Sequence, residues 1–204
     1  MAKRLVGIIG AGGHALVVAS TLIAAGIDVA AFYDDKPGLW GTKIHGIRVA
    51  GPVSELSAAT CTHAIIGVGT NDTRKRIAEQ VDIEWITAVH PFSWVHPGVS
   101  LGRGTVVCAG AVVQPGAQVG SHVILNTKSS VDHDARVGDF AHVSAAHVAG
   151  GASIGEGVLM GLGSVVLPTI HVGAWATVGA GAVVTKEVAP KTTVVGIPAR
   201  PISR

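Results

Sequence analysis

His133 sits between two carboxylates, Asp132 and Asp134. A histidine beside an acid can serve as a general base, because the carboxylate orients the ring and stabilises its cation. The same pattern also describes a solvated polar corner. A second polar stretch, residues 142–151, carries His142, His147 and the pair Gly150-Gly151. Near the start, Gly10-Ala11-Gly12-Gly13-His14-Ala15 follows an apolar run and leads into a helical pattern ending at Ala25. This is G-x-G-x-x-A: glycines let backbone approach a phosphate, and the helix start aims free N–H groups at it. A bare tight turn would use the same glycines. His14 could meet the phosphate or stand as a solvated cap residue. Asp34-Asp35 ends the next apolar run, close to where an acid binds a ribose.

Two kinds of element must position these residues. Residues 5–9, 29–33 and 64–68 read as buried parallel strands, and residues 72–80 as a helix with Asn71 as N-cap. A full dinucleotide fold needs two βαβ halves. Little more than one is present, so a mononucleotide-sized ligand, such as a nucleotide joined to a sugar, suits it better than NAD. Gly51-Pro52, His90-Pro91 and His96-Pro97 are breakers, and the change of pattern divides the chain into residues 1–90 and 91–204.

The second part keeps a beat of six. Aliphatic residues fall at Val95, Leu101, Val107, Val113, Val119, Leu125, Val131, Val137 and Val143. After a slip of one residue the beat resumes at Val148, Ile154, Met160, Val166, Val172, Val178 and Val184. Four residues after many of these stands a small one: Thr105, Ala111, Ala117, Ser129, Ala135, Ala141, Ala152. Six is neither the helical nor the strand period, and a short fixed repeat marks a β-solenoid. Residues one coil apart then stack at strand spacing, about 4.8 Å. Aliphatics fill the prism, small residues fit its corners, and chemistry sits on the outward positions. The slip falls beside the histidine-rich stretch, and local rule-breaking tends to mark functional sites.

Composition narrows the classes. The 204 residues hold 28 glycines, only two cysteines without metal-type spacing, and a net charge of +2 with no basic run. These features exclude a nucleic-acid surface and fit a reduced, cytoplasmic protein. No apolar stretch is long enough to span a membrane, and the Met-Ala-Lys-Arg start lacks the features of a secretion signal.

Together these residues resemble the left-handed β-helix acyltransferases built from hexapeptide repeats. More narrowly, they resemble the bacterial nucleotide-sugar acetyltransferases that join a small Rossmann-like domain to that helix, including those for UDP-linked 4-amino-sugars. The resemblance rests on Gly10-Ala11-Gly12-Gly13-His14, Asp34-Asp35, Asn126-Thr127-x-Ser129-Ser130-x-x-His133, His142-Val143-Ser144 and Val195-Gly196-Ile197-Pro198-Ala199-Arg200, and covers nearly the whole chain. It implies an α/β Rossmann-like half domain followed by a left-handed parallel β-helix. The left hand comes from the resemblance alone, since crossover rules favour the right. It implies acetyl-CoA as co-substrate, a nucleotide-linked amino-sugar as acceptor, no metal, and a homotrimer with sites between subunits. His133 matches the catalytic base, with Asp134 where the family carries a glutamate. Asn126 matches a residue near the base, and His142 a substrate or acetyl contact. Gly150, or its neighbour Gly151, matches a backbone donor to the acetyl carbonyl. Gly10, Gly12, Gly13 and His14 would hold phosphates, Asp34 and Asp35 the base or ribose, and Asn71 and Arg74 would add contacts. Coenzyme A would lie near Leu162 and Ala180, with its phosphates near the tail around Pro198. For trimer packing, the sequence offers Ile124, Val148 and Trp175.

Three rivals follow from the same residues. An O-acetyltransferase acting on a sialic-acid-type sugar would use His133 on a hydroxyl. A zinc lyase like the γ-class carbonic anhydrases would use His142-x4-His147, but its third histidine would fall at Val106. A non-enzymatic solenoid scaffold needs only the stacked core.

Overall fold

The computed structural model describes residues 5–202; residues 1–4, which carry the secretion-signal reading, and 203–204 lie outside the described residues. The half domain contains β1 (Val6–Ile9), α1 (Gly13–Ala24), β2 (Val29–Tyr33), β3 (Lys43–Ile44), β4 (Ile47–Gly51), β5 (His63–Ile66) and α2 (Asn71–Gln80). The sheet runs β3-β4-β2-β1-β5, parallel except for the β3–β4 hairpin. The three strands read from apolar runs are present. The hairpin has no such run, and its turn uses His45 and Gly46 at φ 48° and 82°, a pairing that ordinary turn signals do not include. Packing at the sheet–helix contact is close: a Cβ on Gly67 would lie 2.7 Å from Ala15 Cα.

The remainder is a left-handed parallel β-helix. Its first rung, Ala88–Val89, pairs with Val106–Val107, so the solenoid starts within the breaker-rich stretch. Rungs starting at Ala88, Val106, Ile124, His142, Leu159, Thr177 and Thr193 form a first face. Those starting at Trp94, Val112, Ser130, His147, Val165 and Val183 form a second, and Gln118, Arg136, Ser153 and His171 start the rungs of a third. From Val107 to Val184 every residue on the beat of six is buried, and so is each small residue of the second beat. Corners turn through one residue with φ near +60°, recurring every six residues from Gly104 to Phe140 and then at Ala145. The slip therefore lies in the corner of residues 144–146. It brings His147 opposite Ser130, one residue earlier than a full coil would.

The half domain sits on the first face. Outward-pointing Val106 and Ile124 are buried there, and Val106 and Cys108 join the core of Ala15, Val18 and Leu22 from α1. Ile124 is thus unavailable for packing against another subunit, and Val148 lies in the solenoid core. Burial raises the Cys108 thiol to about 11, which leaves it unreactive.

The joint is made by α2. Arg74 is 1 % exposed. Its Nε donates to the His122 carbonyl at 2.8 Å, Nη1 to Val68 and Gly69, and Nη2 to Asn71 Oδ1 and to the Phe140 and Ala141 carbonyls. Asn71 Nδ2 donates to the carbonyls of Gly157 and Val158 at 3.0 and 3.2 Å. The carbonyls of His122, of Phe140 and Ala141, and of Gly157 and Val158 lie at the same corner of three successive coils, so one helix end ties down three turns of the solenoid. Asn71 is consequently the first helical residue and not the cap; Thr70 holds the cap position without a side-chain bond.

Candidate active site

The glycine loop leaves its backbone open. A Cβ on Gly12 or Gly13 would meet nothing within 4 Å, whereas one on Gly10 (φ 99°) would press on Val68 at 3.0 Å. Gly10 is therefore a turn requirement, and Gly12 and Gly13 are the open approach. Helix α1 starts at Gly13 with no side-chain cap, so its first N–H groups face an incoming anion. Asp34 holds the loop: Oδ2 accepts from the Ala11 N–H at 2.9 Å and Oδ1 from Lys36 N–H at 3.0 Å. Asp35 accepts from the Val53 N–H at 2.9 Å. Both acids thus order the loops around any ligand here.

His14 and His142 approach each other across the domain joint, with ring centroids 6.1 Å apart. Burial, and then the Arg74 charge, depresses each to about 4, so both rings are neutral at pH 7. Asn126 Nδ2 donates to His142 Nε2 at 3.1 Å, which fixes that nitrogen as an acceptor. Nε2 of His14 is buried with no protein partner among the described residues.

His133 occupies a different place, the corner between the second and third faces. That edge of the prism lies opposite the first face. Its Nδ1 bonds Asp134 Oδ2 at 2.9 Å, and this contact raises its pKa above the usual value. The ring is open to solvent. Gly150, one coil on, lies directly against it: a Cβ there would sit 2.6 Å from His133 Nε2. Gly151 has φ 66°, and its N–H is committed to the His133 carbonyl at 2.9 Å. The Gly150 N–H has no protein acceptor among the described residues. Of the two glycines, only Gly150 has a free donor beside the ring.

Leu162, Ala180 and Pro198 line up on a third edge, the corner between the first and second faces, and all three are exposed. Residues read as one site therefore stand in three places on one chain: the glycine loop with His142 at the first face, His133 on the edge opposite it, and Leu162, Ala180 and Pro198 on another edge. Asn71 and Arg74, which the resemblance offers as substrate contacts, form the joint described above. His142 and His147 point from different faces, which removes the two-ligand geometry of a zinc site; no group of three or more His, Cys, Asp or Glu among the described residues is placed to hold a metal. Two features had no sequence signal. Ser130 Oγ bonds His147 Nδ1 at 2.5 Å, with Asp132 Oδ2 3.4 Å from His147 Nε2. Trp175 packs flat over Gly157 beside the domain joint.

Residues 6–81 match the PglD N-terminal domain family, and residues 93–115 and 151–186 the hexapeptide repeat of succinyl-transferase. Among solved structures, a histidine-to-asparagine variant of perosamine N-acetyltransferase from Caulobacter crescentus, in complex with CoA and GDP-perosamine, is 33% identical over 100% of this chain and 99% of that one, with a TM-score of 0.94. The acetyltransferase domain of PglB from Neisseria gonorrhoeae FA1090, also seen with acetyl coenzyme A, is 34% identical over 98% of this chain and 100% of that one, with a TM-score of 0.91. This chain belongs to the hexapeptide-repeat nucleotide-sugar acetyltransferase family. Curated relatives include serine acetyltransferase of Buchnera aphidicola, 27% identical over 73% of this chain, and that of Escherichia coli K12, 32% identical over 54%. The chain spans 50% and 38% of their lengths.

For a member of this family, the buried histidines set an acid limit. His14, His122 and His142 all have folded pKa values near 4 against 6.5 unfolded. Below 6.5 the unfolded chain takes up protons that the folded one refuses, so stability is full above 6.5 and falls as the pH drops from 6.5 to about 4, where the loss from these groups is complete. Thermal melting followed from pH 7.5 to 4.5 should show the midpoint falling steeply below pH 6.5. A flat midpoint across that range would contradict neutral burial of these rings.

Proposed function

We propose that the protein transfers the acetyl group of acetyl-CoA to the amino group of a nucleotide-linked amino-sugar, working as a cytoplasmic homotrimer. The observation that carries this reading is the packing of His133, held by Asp134, against Gly150, a residue whose N–H has no acceptor among the described residues. With Nδ1–H donated to Asp134, Nε2 is the basic nitrogen. The sugar amine attacks the thioester carbon, Nε2 of neutral His133 takes the amine proton, and the Gly150 N–H meets the oxyanion. Collapse expels the CoA thiolate. The glycine loop and His14 hold the diphosphate, and the edge through Leu162, Ala180 and Pro198 carries coenzyme A. The phosphate loop lies over the first face, the base on the opposite edge and the coenzyme A residues on another edge, which supports a reading in which one copy's base serves a neighbour's acceptor. A closed ring of three copies meets that need. Relatives of the same length crystallised with CoA and GDP-perosamine, or with acetyl coenzyme A, support the ligand assignment.

The test is free-thiol release from acetyl-CoA with UDP-, GDP- and dTDP-linked amino-sugars, with acetylated product identified by mass spectrometry. Release that no member of the panel accelerates would overturn the proposal.

Asp134→Asn probes the base directly. Asp134 raises the pKa of His133 by stabilising its cation. A base must be neutral, so wild-type kcat/KM should climb as pH rises through that raised value. The variant should show the limb moved to lower pH, with a lower plateau because the ring is less well oriented. An unmoved limb removes His133 from the role.

A further inference from the structure

The C-terminal edge of the half-domain sheet has a direction. At the end of β2 stand the loop-ordering acids Asp34 and Asp35. At the end of β1, the next strand, lies the open glycine loop. At the end of β5, the strand beyond, residues 69–72 open onto a cavity of about 550 Å3. Its far wall is the solenoid: His142, Leu159, Trp175 and Thr177. His142 also faces His14, so the cavity begins one imidazole beyond the phosphate loop. A nucleotide sugar is linear in the same order, nucleoside, diphosphate, sugar.

We infer that this cavity is the sugar subsite and that Trp175 is its stacking platform, a deepening that rests on the function proposed above. The cavity walls are chiefly apolar, and the indole is half-buried with one side against Gly157. Its ring is held: a Cβ on Gly157 would collide with it at 2.4 Å, and Lys75 Nζ lies 5.6 Å from the ring centroid while paired with Glu156 at 2.7 Å. A fixed aromatic face suits the C–H face of a pyranose, which is the apolar side of an otherwise polar ring. His142 and the uncapped start of α2 supply the polar contacts at its rim. The nucleoside cannot be the occupant if the diphosphate sits on Gly12 and Gly13 with the nucleoside toward Asp34 and Asp35.

The experiment compares wild type, Trp175→Ala and Trp175→Phe. Trp175→Ala should raise KM for the nucleotide amino-sugar about tenfold, the loss that roughly 50 Å2 of apolar contact represents. The kcat, the KM for acetyl-CoA and the Kd for the free nucleoside diphosphate should stay within about twofold, as loss of uniform binding requires. Trp175→Phe should recover most of the affinity. Indole fluorescence gives a second reading without turnover: nucleotide-sugar binding should change the emission, free nucleoside diphosphate should not, and the change should vanish in Trp175→Phe. An unaltered sugar KM, an equal loss for the free nucleotide, or a loss confined to acetyl-CoA each overturns the inference. Absence of transfer in the wild type, with the fluorescence response present, would instead count against the proposed reaction.

Discussion

Gly150→Ala should lower turnover by at least about 10²-fold with the fold intact. The argument is steric. A Cβ at this position would lie 2.6 Å from His133 Nε2 and 2.7 Å from Cε1, closer than atoms of a real side chain come. The backbone itself accepts alanine, because Gly150 is not among the residues with positive φ. Something must therefore move, and the exposed imidazole is the softest neighbour. When it swings, the bond to Asp134 breaks and the base leaves the free N–H. Loss of general-base help costs about 10²–10⁴, and loss of an oxyanion donor about 10²–10³. The two act as a unit and do not add, so Gly150→Ala and His133→Ala should fall within about tenfold of each other. Gly151→Ala is the control. Its φ of 66° makes alanine strained, at a cost of about 1–2 kcal/mol, but the nearest atom to its Cβ would be Thr169 Cγ2 at 3.5 Å and not the ring. That variant should lose stability and keep most of its turnover. Initial rates of thiol release, with urea unfolding for each variant, separate the cases; wild-type turnover in Gly150→Ala would remove the pair from the mechanism.

How far the sequence alone reaches depends on whether a residue's surroundings repeat. Each solenoid coil sets the same demands at the same positions, so Val107, Val131 and Met160 announce their burial by spacing alone, and the slip at residues 144–146 is visible as a missed beat. His133, Asp134 and the glycine pair could be read because acid, histidine and glycine stand close in sequence or one coil apart. The half domain was legible where a strand was a continuous apolar run, and not at β3 and β4, where pairing is set by a hairpin turn through His45. Partners across the domain joint carry no local mark. Ile124 looks like a surface residue on an outward position until a separate domain covers it. Trp175 reads as an outward apolar residue offered for packing between subunits until Gly157, Lys75 and the start of α2 are brought round it. Arg74 is the sharpest case. The family resemblance offers it as a further substrate contact. Only the fold reveals that it also binds the carbonyls of His122, Phe140 and Ala141, 48 to 67 residues away.

Arg74→Ala should be the most destabilising single change in the joint, by about 3–5 kcal/mol. All five N–H groups of the guanidinium are engaged, and every partner is a protein acceptor: carbonyls of His122, Val68, Gly69, Phe140 and Ala141, and the Asn71 amide. Burial lowers its pKa only to about 10, so the group remains charged at pH 7. Its charge is met by carbonyl dipoles and not by a carboxylate. Removing it strands those carbonyls in a closed space, and it also frees Asn71 to release Gly157 and Val158. Arg74→Lys keeps the charge but reaches fewer acceptors and cannot reproduce the fork, so it should recover only part of the loss. The half domain should then loosen from the first face before the solenoid core unfolds, because the side chains that pack the core from Val107 to Val194 meet one another and Arg74 reaches only a backbone carbonyl among them, that of Ala141. Hydrogen exchange should accordingly rise first along α2 and β5. Two consequences for activity follow. His14 and His142 are held in register by this joint, so KM for the nucleotide sugar should rise in proportion to the loosening. The titration of His133 on the opposite edge should stay where it is. Full stability in Arg74→Ala with a selective loss of nucleotide-sugar affinity would reverse the assignment and make Arg74 the substrate contact that the resemblance implies.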